Sequence, residues 1–180
     1  FTKKINMKKS IMLLAIVLLN FACNEAAKKE KNTEEIKTTV ETSKNINEPK
    51  ISPISHASFV MEWGDKIWYN DPVGSIEDYA EFKNPDVVLI SDIHGDHFNV
   101  ETLQALEGDF KIIVPQAVFE KMPEELQEKS IVMKNEEAIK WKSFKIQAIP
   151  MYNITEERLK YHPKGRGNGY VIDNGNFKMY

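Results

Sequence analysis

The chain has 180 residues, 42% of them hydrophobic and 28% charged, a composition that fits roughly one globular domain with a real core. A formal net charge of -3 is too small to suggest capture of nucleic acid or of an acidic surface, so no nucleic-acid partner is expected. The single cysteine, Cys23, excludes an intramolecular disulfide and a cysteine-based zinc knuckle. That leaves His56, His94, His97 and His162 as the histidines to weigh as ligands.

Met7-Lys8-Lys9 reads as the true start, with residues 1–6 as upstream translation. The two lysines and the apolar run Ile11 to Phe21 have the build of a secretory signal peptide. The run is short beside the roughly 20 residues a membrane-spanning helix needs. Leu19-Asn20-Phe21-Ala22-Cys23 resembles a bacterial lipoprotein cleavage site, with Cys23 as the lipidated residue, although Asn20 and Phe21 depart from its usual residues. The alternative is a plain signal with an incidental cysteine. Residues 24–50 are rich in Lys, Glu, Thr and Asn and cannot bury enough apolar surface to offset their chain entropy. They read as a disordered tether. The expectation is an exported lipoprotein, anchored through lipid in the cell envelope, with its folded domain at residues 51–180.

Within that domain Ile51 to Met61 reads as one strand, paired in a hairpin with Lys66 to Asn70 across a Trp63-Gly64-Asp65-Lys66 turn. Asp71-Pro72-Val73-Gly74 ends the hairpin, and Ser75 to Phe82 is a short polar helix or loop. Val87 to Ile90 is a buried strand. Asn99 caps a helix with apolar positions at Val100, Leu103 and Leu106. Phe110 to Val114 is strand, Gln116 to Met122 and Pro123 to Lys129 helical, and Ile131 to Lys134 strand. Glu136 to Ile139 reads as a turn, Lys142 to Ile149 as strand and Tyr152 to Lys164 as loop. A last strand pair begins at Gly169 and turns at Asn174-Gly175. The mixture argues for α/β or layered α+β. The sequence stops at Tyr180 inside an apolar strand, and reads as a fragment.

The chemistry concentrates after the Val87 strand, in Asp92-Ile93-His94-Gly95-Asp96-His97. Sites of buried sheets gather at the carboxyl ends of strands, and carboxylate with imidazole suits zinc and other divalent first-row ions. Residues two apart in an extended segment face one side, so Asp92 and His94 can serve one ion while Asp96 and His97 serve a second after the Gly95 turn. The alternative is that one aspartate caps the next helix and a histidine packs on the sheet.

This segment resembles the His-x-His-x-Asp-His motif of the metallo-β-lactamase superfamily, with Asp92 standing where the first histidine is usual. Ile54-Ser55-His56-Ala57-Ser58-Phe59 and Trp68-Tyr69-Asn70-Asp71-Pro72 resemble the opening hairpin of its ascorbate-6-phosphate lactonase-like branch. The resemblance implies an αββα sandwich, of which this chain supplies mainly the N-terminal half. It further implies that His56 and Asp71 stand behind the metal ligands or face the substrate. For the third ligand of the first ion it offers His162, with Asn153 as the other candidate. In such proteins a later Gly-Asp-Thr segment and a final histidine complete the site. The implied activity is hydrolysis of a small ester-type substrate, a lactone or phosphodiester, by water activated on two zinc ions, or manganese or iron. Asp96 would both bind metal and orient the nucleophile. The alternatives are a non-catalytic binding lipoprotein on a degenerate fold, or an iron-dependent oxidoreductase.

Overall fold

The structure is a computed structural model that describes residues 48–180. Residues 1–47, including Cys23, the signal segment and nearly all of the tether, lie outside the described residues. Among the described residues no helix is long and apolar enough to cross a membrane.

The domain is layered. Strands β1 (Lys50–Ser55), β2 (Ser58–Trp63), β3 (Lys66–Asn70), β4 (Val87–Leu89), β5 (Lys111–Val114) and β6 (Ser130–Val132) form a six-stranded sheet in sequence order. The first three run antiparallel and β3 to β6 run parallel. Strands β7 (Ala138–Trp141), β8 (Phe144–Met151), β9 (Gly167–Asp173) and β10 (Lys178–Met179) form a second, antiparallel sheet. Helices α1 (Val100–Ala105), α2 (Gln116–Phe119) and α3 (Glu124–Gln127) lie in the connections between the parallel strands.

Period-2 alternation in the first sheet feeds two cores. Val60, Tyr69, Val88, Ile90, Ile112 and Val114 face the helix side, where they meet Leu103, Val118 and Leu126. Met61, Trp68, Val87, Leu89 and Ile113 face the second sheet and meet Phe144, Ile146, Tyr170 and Ile172. The inter-sheet core is aromatic: Trp68 and Trp63 both stand edge-on to Phe144, with ring centroids 4.9 and 5.1 Å away. Burial of both faces explains why β4 reads as a continuous apolar run. The described layers are helix, sheet and sheet, three of the four in an αββα sandwich.

Two expectations need correction. Ile51 to Met61 is not one strand, because the chain reverses between Ser55 and Ser58 with His56 at φ 48°. A hairpin of β1 and β2 results. Glu136 to Ile139 is not simply a turn: the reversal runs from Lys134 to Glu137, whose amide donates to the Lys134 carbonyl at 3.1 Å with Glu136 at φ 74°, and Ala138 already pairs with Gln147. Elsewhere Asn99 caps α1 as read, its Oδ1 accepting the Thr102 amide at 2.7 Å. The two segments after Pro115 shrink to single turns, each begun by a proline.

The sheets are pinned together beside the end of β4. The buried Tyr170 hydroxyl donates to the Ile90 carbonyl at 2.9 Å, and the Asn168 amide donates to the Ser91 carbonyl at 2.9 Å. Gly167 makes this approach possible, since a Cβ there would lie 2.5 Å from Met151 Cε and 2.9 Å from the Ser91 carbonyl oxygen. Because one of those atoms is backbone, Gly167→Ala should lower the unfolding free energy by about 1–3 kcal/mol. Urea denaturation would check this, and an unchanged midpoint would contradict so close a packing of the sheets.

Candidate metal centre

Strand β4 ends by handing its polar groups to side chains. Ser91 donates its amide to Asp71 Oδ1 at 2.6 Å and its hydroxyl to Asp71 Oδ2 at 2.6 Å. Asp71 sits just past β3 at φ 42° and returns its own amide to the Leu89 carbonyl at 2.8 Å. The next residue, Asp92, is fully buried at 0% exposure. Its Oδ1 accepts the Ile93 amide at 2.6 Å, which leaves Oδ2 facing the cluster.

Three ligand-type side chains converge there. Asp92, His94 and His162 each offer an atom, and these atoms all lie within 4.8 Å of one another. Asp92 Oδ2 is 3.5 Å from His94 Nδ1 and 2.6 Å from His162 Nδ1. The two imidazoles meet edge to face with centroids 4.7 Å apart. His162 Nδ1 is buried and, despite its nearness to Asp92, has no partner in hydrogen-bond geometry. A buried nitrogen without a hydrogen bond is costly unless something else engages its lone pair or proton. One buried carboxylate and two imidazoles make a suitable donor set for a divalent ion. On these grounds the residues fit a metal.

His162 comes from the connection between β8 and β9, which contains a 3-10 turn at Glu156–Arg158 and a later turn closed by the Arg166 amide on the Pro163 carbonyl at 3.3 Å. Asn153 does not point into the cluster. Its side chain donates to the Arg158 carbonyl at 3.0 Å, while its amide donates to the His162 carbonyl at 3.0 Å. It therefore positions the backbone that carries His162. Sequence reading missed Arg166. Its Nη2 donates to Asp92 Oδ2 at 3.1 Å, lies 3.3 Å from His94 Nε2 and also reaches the Tyr161 carbonyl. A clue was available, because an aspartate in place of a neutral ligand calls for a nearby cation, and Arg166 stands between two glycines. Ser91 was missed too, and nothing in the local sequence marks it.

Asp96 and His97 form a separate pair, with Asp96 Oδ2 3.7 Å from His97 Nε2 and the Asp96 side chain 57% exposed. His97 Nδ1 is turned inward, 2.9 Å from Asp71 Oδ2 and 2.9 Å from Ser91 Oγ. Its Nε2 is thereby left on the Asp96 side, an orientation commonly fixed in this way for metal-binding histidines. His56 stays at the exposed β1–β2 turn.

The electrostatics follow from these contacts. Burial pushes the Asp92 carboxyl up, but the Ile93 amide and the Arg166 guanidinium outweigh it and hold the group below its ordinary range. Burial pushes Asp71 up, against hydrogen bonds from His97 and Ser91 that favour its charged form. Contact with Asp71 raises His97, with desolvation opposing. A histidine raised on folding contributes stability that is fully present below the unfolded value of about 6.5. That contribution is lost as pH rises through the raised folded value. In chelator-treated protein, thermal stability should therefore decline with rising pH above about 6.5, and Asp71→Asn should flatten the decline. The same slope in both proteins would show that the pair does not set it.

Residues 50–180 match the family described as the beta-lactamase superfamily domain. No match was found among curated protein sequences. Among solved structures the chain is similar to a candidate metal-dependent hydrolase from Parabacteroides distasonis, with 36% identity and a TM-score of 0.62. That likeness covers 69% of this chain and 56% of the other. It is also similar to a metallo hydrolase from the hyperthermophilic archaeon Ignicoccus hospitalis, at 19% identity and TM-score 0.54, over 71% of this chain and 57% of that one. A third is CmlA, a diiron beta-hydroxylase from Streptomyces venezuelae, at 17% identity and TM-score 0.54, covering 73% of this chain and 28% of that one. The chain thus spans little more than half the length of the first two. The last two likenesses concern the fold alone. With a match that runs through the layered domain and its Asp/His cluster, the chain belongs to the beta-lactamase superfamily and has the metallo-β-lactamase fold.

Proposed function

We propose that the protein is a metal-dependent hydrolase, its centre at the carboxyl end of β4, acting on a small ester-type substrate such as a lactone or phosphodiester. The observation that carries this reading is the convergence of Asp92, His94 and His162 around a buried His162 nitrogen that lacks a hydrogen bond. The likeness to the Parabacteroides distasonis protein supports it.

An ion held there would supply Lewis acidity and a water acidified towards neutral pH. Asp92 contributes the negative charge of that centre, and His94 and His162 contribute neutral nitrogen. Zinc suits this set best, with manganese or iron as alternatives. Asp96 and His97 are proposed as the start of a second ion site. Asp96 is exposed and close to His97, so its carboxylate can also hold and take the proton of an attacking nucleophile. Asp71 fixes the His97 ring from behind.

A second reading, a non-catalytic binding protein, is favoured by one contact: Arg166 already gives Asp92 a cationic partner. Elemental analysis of the purified full chain, with a hydrolysis screen over lactones, phosphodiesters and carboxylic esters, separates the two. The hydrolase reading expects bound zinc, manganese or iron and turnover in one class. It expects Asp92→Ala and His94→Ala to lose more than about a hundredfold of that turnover, and Asp71→Asn to lose about 10–100-fold. Bound metal with no turnover in any class would favour the binding protein, and absence of metal would sink the hydrolase.

A further inference from the structure

The mechanism above leaves one side chain of the cluster without a role. Arg166 is held on both sides by glycines that the geometry requires. Gly165 has φ 89°, and Gly167 packs where a Cβ would strike Ser91 and Met151. This turn carries the guanidinium inward, to a side chain only 20% exposed. Its Nε is buried without a hydrogen-bond partner, and its Nη2 contacts Asp92 and the Tyr161 carbonyl.

A guanidinium cannot shed its proton in a protein, so its charge must be balanced where it sits. His94 and His162 offer it only neutral nitrogen when they are free to bind metal. Asp92 is the carboxylate in contact with it, and that carboxylate is itself fully buried and in need of a cation. The two charges cancel. A neutral imidazole at position 92 would instead leave Arg166 as an uncompensated cation beside the ion site.

We propose that Arg166 is a positioning residue coupled to Asp92, and that the two act as one charge-neutral unit that sets the affinity of the Asp92–His94–His162 cluster for divalent ions. This rests on the metal reading given above. Its consequence is non-additivity. Removing Arg166 should help metal binding when position 92 carries no charge, and should not help it by the same factor when Asp92 is present.

The test is a double-mutant cycle read by chelator-competition affinity for Zn²⁺ and Mn²⁺ on the full chain. D92H should weaken binding by about tenfold or more, and adding R166Q to D92H should recover most of that loss. R166K, which keeps the charge, should stay near the wild-type affinity. Circular dichroism and thermal unfolding of each variant report folding. Should D92H not fold, D92N makes the same charge change and should respond to R166Q in the same direction. If R166Q changes binding by one common factor with and without D92H or D92N, in either direction or not at all, Arg166 is only a loop anchor and the coupling is overturned. If the wild-type chain binds neither ion, the metal reading itself fails, and this inference fails with it.

Discussion

A fully buried carboxylate at the end of a central strand is the constraint on which the rest of the structure depends. Removing an ionised carboxylate from water costs several kcal/mol in a real protein even after relaxation, on the order of what a small domain has in total stability. Such a group persists only where surrounding groups favour its charge. Asp92 finds them in the Ile93 amide and the Arg166 guanidinium, which both contact its carboxylate. The amide is local, and the guanidinium comes from the connection between β8 and β9. The domain must be folded through β9 before the carboxylate is satisfied.

That requirement explains the polar seam between two otherwise apolar sheets. Tyr170 and Asn168 reach across from β9 to the carbonyls of Ile90 and Ser91, and Asn168 is held in turn by Asn135 and the Met133 carbonyl. Each neutral hydrogen bond of this kind contributes only about 0.5–1.5 kcal/mol net. Their larger effect is to hold the end of β4 against β9, while the aromatic core between the sheets supplies apolar burial. Asp71 does the same from the neighbouring β3, taking both hydrogens of Ser91 and orienting His97 with the same carboxylate. The two candidate ion positions thus share one scaffold, with Ser91 at its centre.

The site motif was legible because its residues sit together and follow an unbroken apolar run. Val87 to Ile90 could only be a buried strand, and Asp92 to His97 could only begin where it stopped. His162 was reachable through family resemblance, because it lies some 70 residues away and no local pattern ties it to Asp92. Arg166 escaped notice for the opposite reason. It stands between the loop that carries His162 and the last strand pair, and its role depends on a three-dimensional charge balance. The missed β1–β2 reversal has a similar cause. His56 adopts a left-handed conformation that residues other than glycine seldom take, so alternation alone ran straight through it. Asn153 shows the limit of residue type as a guide: its side chain serves the loop, and its backbone serves His162.

The central claim is that Asp92, His94 and His162 are ligands of one ion. Anomalous diffraction from crystals of the chain grown with Zn²⁺, recorded at the zinc absorption edge, tests it most directly. The account predicts a peak within about 2.0–2.2 Å of Asp92 Oδ2 and of one nitrogen from each histidine. A peak confined to Asp96 and His97, or no peak at the end of β4, would contradict it.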